Sequence, residues 1–147
     1  MQKGINLTGT SFMKDNSFID TNVLIYCHSD IDQKKQDVAR SIINEDNIYI
    51  SIQVLNEFIN AFYKKFKTDW DTVIQITGEA EENLLVHIND TSTINIACQI
   101  AKKYQYSYYD SQIIAAALQC GCKTLYSEDM QDGQVIENSL TIINPFK

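Results

Sequence analysis

Ser17-Phe18-Ile19-Asp20-Thr21-Asn22-Val23-Leu24-Ile25-Tyr26 is the stretch on which the reading of this chain turns. Ser17 to Ile19 form a short strand stub that ends on a carboxylate, Asp20, and the apolar run Val23 to Tyr26 follows at once. In open parallel α/β sheets, sites form outside the carboxyl ends of the strands, which is where Asp20 falls. A plainer role is also open to it, as the N-cap of a helix beginning at Thr21.

Outward from this stretch, short apolar strands alternate with helical patterns. Residues 33–45 read as an amphipathic helix with Val38, Ile42 and Ile43 inward, and Ile48-Tyr49-Ile50 as a β-branched and aromatic strand. Ser51 can cap a long helix over 52–66, and Thr68 or Asp69 starts another near 69–83. Val86 to Ile88 reads as a strand, Thr91 or Ser92 as the cap of a helix reaching Tyr104, and 108–120 as a helix stopped by Gly121. Strands at Lys123 to Tyr126 and Leu140 to Ile143 complete the series. The alternation predicts parallel pairing in a three-layer α/β/α sandwich with a mainly parallel central sheet. Residues 1–16 show no period and read as a leader or extension, poorly ordered or not native, ahead of a domain over 17–147.

A length of 147 residues suits one hydrophobic core. Nineteen acidic against twelve basic residues give a net charge of −7, which argues against gripping nucleic acid by bulk positive charge. It leaves room for an acidic site that reaches phosphates through metal ions. Of the four cysteines, Cys120 and Cys122 are spaced Cys-Gly-Cys, unlike the Cys-x-x-Cys of zinc or redox sites. Nothing resembles a secretory signal, and no apolar run approaches about 18 residues. A reducing cytoplasm with free thiols and no membrane is the expectation.

Two further carboxylates stand on apolar helical stripes. In the helix over 52–66, the series 54, 57, 58, 61 places Glu57 inward, whereas a stripe at 55, 58, 59 and 62 leaves it at the edge in water. Both fit. In the helix over 108–120, Asp110 heads a complete series with Ile113, Ile114, Ala117 and Leu118. Ser107-x-x-Asp110 also approximates a capping box, and an acid in the first turn suits the helix dipole. A fourth acid, Asp129, follows the strand at 123–126 by a few residues, in what could otherwise be an acidic surface turn. Like charges about 4 Å apart repel by roughly 4 kcal/mol at an effective dielectric of 20. Four converging acids would need a counter-ion, and oxygen-only ligands select Mg²⁺ or Mn²⁺.

These residues resemble the motifs of PIN-domain ribonucleases, particularly the VapC-type toxins of bacterial toxin–antitoxin modules. Phe18-Ile19-Asp20-Thr21-Asn22 is similar to the opening motif, Val54-Leu55-Asn56-Glu57-Phe58 to the second, and Tyr108-Tyr109-Asp110-Ser111 to the third. Leu125-Tyr126-Ser127-Glu128-Asp129 is similar to the fourth, and the ending Ile142-Ile143-Asn144-Pro145-Phe146 is familiar there as well. The resemblance implies a Mg²⁺-dependent endoribonuclease with Asp20, Glu57, Asp110 and Asp129 as catalytic and metal-holding acids. It makes Asn22 and Ser127 supporting polar groups. Glu128 competes for the fourth position, and the family spacing Ser/Thr-x-Asp from Ser127 prefers Asp129. The resemblance further implies an RNA substrate, a cognate antitoxin and a homodimer.

Other residues carry weaker signals. His28 and His87 lie in no ligand or triad spacing and read as surface or satisfied histidines. Lys64, Lys65 and Lys67, and the pair Lys102-Lys103, are solvated faces by default and phosphate contacts as the alternative. Tyr104, Tyr106, Tyr108 and Tyr109 crowd before Asp110, to pack or to stack on a base, and Trp70 reads as core or interface. Against the nuclease stand a non-catalytic PIN-fold module that binds RNA or protein, and a receiver-like phosphoacceptor. The latter would need a lysine after a late strand, where this chain has Asn144-Pro145.

Overall fold

The computed structural model describes residues 14–147 throughout, and upstream of them only the backbone of two short antiparallel strands, β1 (Gly4–Ile5) and β2 (Ser11–Phe12). The expectation for residues 1–16 thus falls largely outside the described residues. The chain then runs β3 (Ser17–Ile19), α1 (Thr21–Cys27), α2 (Gln33–Ile43), β4 (Ile48–Ser51), α3 (Ile52–Asn60) and a π-helical turn (Ala61–Lys65). It continues through α4 (Trp70–Asn83), β5 (Leu85–His87), α5 (Thr91–Tyr104) and α6 (Tyr108–Gln119) to β6 (Thr124–Tyr126), β7 (Val135–Ile136) and β8 (Leu140–Ile143).

β3 to β8 form one sheet in the order β5-β4-β3-β6-β8-β7, parallel except for the β7–β8 pair. From β3 the chain steps outward to β4 and β5 over α1 to α4, then returns past β3 to β6 over α5 and α6. Right-handed crossovers running in opposite directions place the two helix groups on opposite faces, which gives the expected α/β/α sandwich. Contacts agree, since α1 packs on α2 and α3, while α5 packs on α6. The strand order reverses between β3 and β6, and a crevice forms at such a switch point.

Both helix layers close on the sheet through Phe18, Ile19, Ile50, Leu125 and Ile142 from the strands, and Val23, Leu24, Val54, Phe58 and Ile114 from the helices, all 0% exposed. Burying a side chain of this size contributes about 1.5–3 kcal/mol. Every α-helix from α1 to α6 starts on an Asp or Ser whose side-chain oxygen accepts a backbone N–H: Asp20, Asp32, Ser51, Asp69, Asp90 and Ser107. Part of the acidic excess is therefore capping.

Several boundaries differ from the pattern-based expectation. Asp90, not Thr91 or Ser92, caps α5, because it exchanges hydrogen bonds with Thr93 in a reciprocal box. The helix expected over 52–66 is α-helical only to Asn60; beyond it Phe66 N–H donates to Ala61 O at 3.1 Å in the wider π pattern. The aromatic series Phe58, Phe62 and Phe66, with ring centroids 4.9 and 5.1 Å apart, continues through that turn. Trp70, expected in the core or an interface, is 51% exposed and stacks on Tyr63. Gly121 stands one residue past Cys120, the C-cap of α6, with φ +66, the left-handed stop its position suggested. β7 went unanticipated, being two residues long. None of the described helices is long and apolar enough to cross a membrane.

Candidate active site

Three consecutive residues at the end of β3 each reach a different partner. Asp20 is 8% exposed, and its Oδ1 accepts the Thr21 N–H at 2.7 Å, so the capping role holds. Its Oδ2 accepts the Ser127 hydroxyl at 2.8 Å, across the switch point between β3 and β6. Thr21 Oγ1 donates to Glu57 Oε1 at 2.7 Å, and Asn22 Nδ2 donates to Asp129 Oδ2 at 2.9 Å. The segment 20–22 thereby ties together the end of β3, the middle of α3 and the loop after β6.

Each acid is placed by local structure. Val54, Leu55, Phe58 and Phe62 are buried, which rotates Glu57 to the exposed edge of the stripe, where Thr21 holds it. Asp110 lies half-buried in the first turn of α6, with its N–H donating to Ser107 Oγ at 3.2 Å, so the cap and the inward stripe coexist. Ser127, fully buried, turns the loop by accepting the Met130 N–H at 3.2 Å. Asp129 is exposed beside Asn22. Its neighbour Glu128 turns the other way, accepting the Tyr26 hydroxyl at 2.8 Å and pairing with Lys35.

Electrostatics single out Asp20. Burial pushes its carboxyl up from 3.8 to about 6; the Ser127 hydroxyl and the Thr21 N–H pull it back, and the charges of Asp110 and Glu57 push it further up. None of the ion pairs among the described residues reaches Asp20, Glu57, Asp110 or Asp129. The site is a patch of uncompensated negative charge.

Its donor set suits a hard divalent cation: four carboxylates, plus the buried and unpartnered Asn22 Oδ1 next to Asp129. Among the described residues, no three acidic, histidine or cysteine side chains already gather round one point as a metal cage. The carboxylates of Asp20, Glu57 and Asp129 are held instead by hydroxyl and amide donors. The residues fit a cation by chemistry and charge.

Thr21 was not singled out by pattern reading, although it lies inside the quoted motif. A hydroxyl directly after an N-capping acid projects from the same first helical turn, which is the signal that could have found it. The histidines stay outside the site: His28 packs edge-on to Phe58 with ring centroids 5.5 Å apart, and His87 Nε2 meets Gln119 Oε1 at 2.9 Å.

Fold and site together define a parallel α/β domain with an acidic cluster at the switch point of its sheet. The chain belongs to the PIN-domain family, whose model matches residues 17–131. Solved structures share the fold at low identity. A toxin–antitoxin complex from Klebsiella pneumoniae is 18% identical with a TM-score of 0.67, over 88% of this chain and 98% of that one. DNA-bound VapBC from Salmonella typhimurium is 19% identical with a TM-score of 0.65, over 88% and 97%. VapC20 from Mycobacterium tuberculosis, a toxin that cleaves the sarcin–ricin loop, is 15% identical with a TM-score of 0.64, over 78% and 90%. Comparison with curated protein sequences gives no match.

Proposed function

We propose that this protein is a Mg²⁺-dependent endoribonuclease, with Mn²⁺ able to substitute, and the toxin of a toxin–antitoxin pair. The observation that carries the reading is the buried, uncompensated Asp20 bound to Ser127, with Thr21 and Asn22 drawing Glu57 and Asp129 to the same edge of the sheet. Membership of the PIN family supports it, as does a shared fold with toxins of such pairs.

Asp20 and Asp110 would hold the metal, with Glu57 and Asp129 completing its shell directly or through water. When bound, the cation lowers the pKa of a water and offsets charge on the scissile phosphate. Ser127 fixes the Asp20 carboxylate, Thr21 fixes Glu57, and Asn22 fixes Asp129 while keeping its own Oδ1 free. A site carboxylate accepts the proton of the attacking water. Water attack leaves a 5′-phosphate and a 3′-hydroxyl, which separates this route from ribonucleases that use the 2′-hydroxyl. The exposed Ile52 at the start of α3, with Leu85 in the edge strand β5 and Ile88 just after it, supports a homodimer. A cytoplasmic location and a cognate antitoxin complete the proposal.

The test is cleavage of RNA with Mg²⁺, its loss with EDTA, and its loss in a folded Asp110→Asn protein. RNA binding without metal uptake or cleavage would point instead to a non-catalytic PIN-fold module. Two variants assign the fourth acid: Asp129→Asn is expected to lose cleavage, and Glu128→Gln to keep it within about tenfold, since Glu128 is engaged with Lys35 and Tyr26. The reverse order of effects would move the role to Glu128.

Ser127→Ala provides a further check. Removing one of the two donors to Asp20 withdraws about 1.5–3 kcal/mol from its charged form. The acidic limb of the cleavage pH profile is expected to move up by about one to two pH units, with a stability loss of about 1–3 kcal/mol as the Met130 N–H loses its acceptor. An unmoved pH profile would remove Ser127 from the site.

A further inference from the structure

Residues 61–70 concentrate features that the acidic site does not use. The segment opens with the π-helical turn Ala61–Lys65, a form often found at functional positions. Lys67 then adopts φ +56, a left-handed conformation uncommon for a lysine. Phe62 and Phe66 face the core and anchor the turn, whereas Tyr63 and Trp70 face water, 42% and 51% exposed. Their rings stack with centroids 4.2 Å apart and planes 23° apart.

Lys64, Lys65 and Lys67 lie between Tyr63 and Trp70 in sequence; all three are exposed, none joins an ion pair among the described residues, and Lys65 Nζ sits over the Phe66 ring, 5.8 Å from its centroid. Lysines at a helix end offset the helix dipole, which accounts for Lys64 and Lys65. It does not account for an indole left half in water on a phenol. Asp69, which accepts the Thr72 N–H and hydroxyl, and the exposed Asp71 offset two of the three lysine charges and leave the segment net positive.

We propose that Tyr63 and Trp70 with Lys64, Lys65 and Lys67 form a contact surface for the substrate strand beyond the cleaved bond, resting on the ribonuclease reading above. Two observations favour single-stranded RNA as the occupant. Exposed ammonium groups outside any ion pair among the described residues match phosphates, in a protein whose net charge of −7 otherwise repels them. An exposed stacked aromatic pair offers an outer face to an unpaired base, and base–aromatic stacking tolerates any sequence. Tyr63 lies six residues after Glu57 on the same helical run, which places the stack on the element that carries one of the site acids.

The experiment compares an unstructured RNA of about 20 nucleotides with one of about four. The proteins are wild type, Trp70→Ala, and the triple variant Lys64→Gln, Lys65→Gln, Lys67→Asn, where asparagine suits the left-handed φ. Cleavage kinetics are measured for both RNAs, and fluorescence anisotropy follows binding of the long RNA without metal across a salt series. Thermal melting verifies that each variant folds. For the long RNA, the triple variant is expected to raise KM and Kd about tenfold and to flatten the slope of log Kd against log salt by about two. Trp70→Ala is expected to raise both constants about tenfold with no change of slope. kcat, and kcat/KM on the short RNA, stay at wild-type values. Equal KM, Kd and salt slope across the proteins would overturn the proposal, as would a loss confined to binding an acidic protein partner. Wild-type protein that leaves both RNAs uncut would instead overturn the ribonuclease reading, which keeps the two failures separate.

Discussion

Asp20→Asn is expected to abolish RNA cleavage while making the metal-free protein more stable than the wild type at neutral pH. On the proposed function, losing a carboxylate that would hold the cation removes several kcal/mol of transition-state stabilisation, a fall of about 10³-fold or more in rate. The stability change has the opposite sign. Folding raises the Asp20 carboxyl from 3.8 to about 6, so the folded chain holds this proton more tightly than the unfolded chain. The resulting stability is fully present below pH about 4 and is lost as the pH rises to about 6. At neutral pH the buried charge therefore costs about 3 kcal/mol. Asparagine carries no charge and keeps an acceptor for the Thr21 N–H. Its amide must then donate to a Ser127 oxygen that already accepts the Met130 N–H, which offsets part of the gain. A net gain of about 1–2 kcal/mol, or roughly 3–8 °C, should appear in thermal melts with EDTA. A variant less stable than wild type there, or one that still cuts RNA, contradicts the assignment.

The same carboxylate shows where sequence was informative. Asp20 was legible because a strand ending on an acid marks the carboxyl edge of a parallel sheet, and Asp110 because a five-membered apolar series began on it. The alternation of strand and helix was enough for the layered parallel sheet. Glu57 was ambiguous for a physical reason: a helical stripe about 100° wide has edges, and periodicity alone cannot tell an edge from the centre. Only the buried Val54, Leu55, Phe58 and Phe62 fix its rotation. Glu128 and Asp129, adjacent and chemically alike, separate only when Tyr26 and Lys35 take one and Asn22 takes the other. Thr21 escaped because it acts through a neighbour distant in sequence, Glu57. Such pairings leave no period to read.

Magnesium is expected to raise the melting temperature of the wild type, and to raise it more at pH 7 than at pH 5. A cation needs the ionised carboxylate, so at pH 5 the proton on Asp20 competes with it. A group with a value about 6 is some 90% protonated one unit lower, which weakens apparent affinity about tenfold. With free Mg²⁺ at about 100 times its dissociation constant at pH 7, binding stabilises the fold by about 2.7 kcal/mol. At pH 5 the same concentration is only about ten times the weakened constant and stabilises by about 1.4 kcal/mol. Asp20→Asn should lose the pH difference and most of the shift, whereas Glu128→Gln should keep both. Magnesium acting only as a counter-ion to a chain of net charge −7 would behave differently. Exposed carboxylates with ordinary values near 4 are ionised at both pH values, so general screening would give nearly equal shifts and would not depend on residue 20. Equal shifts at pH 5 and pH 7 would therefore reduce the cluster to surface charge. A shift that grows with pH and vanishes with Asp20 identifies one buried carboxylate as the group that needs the metal.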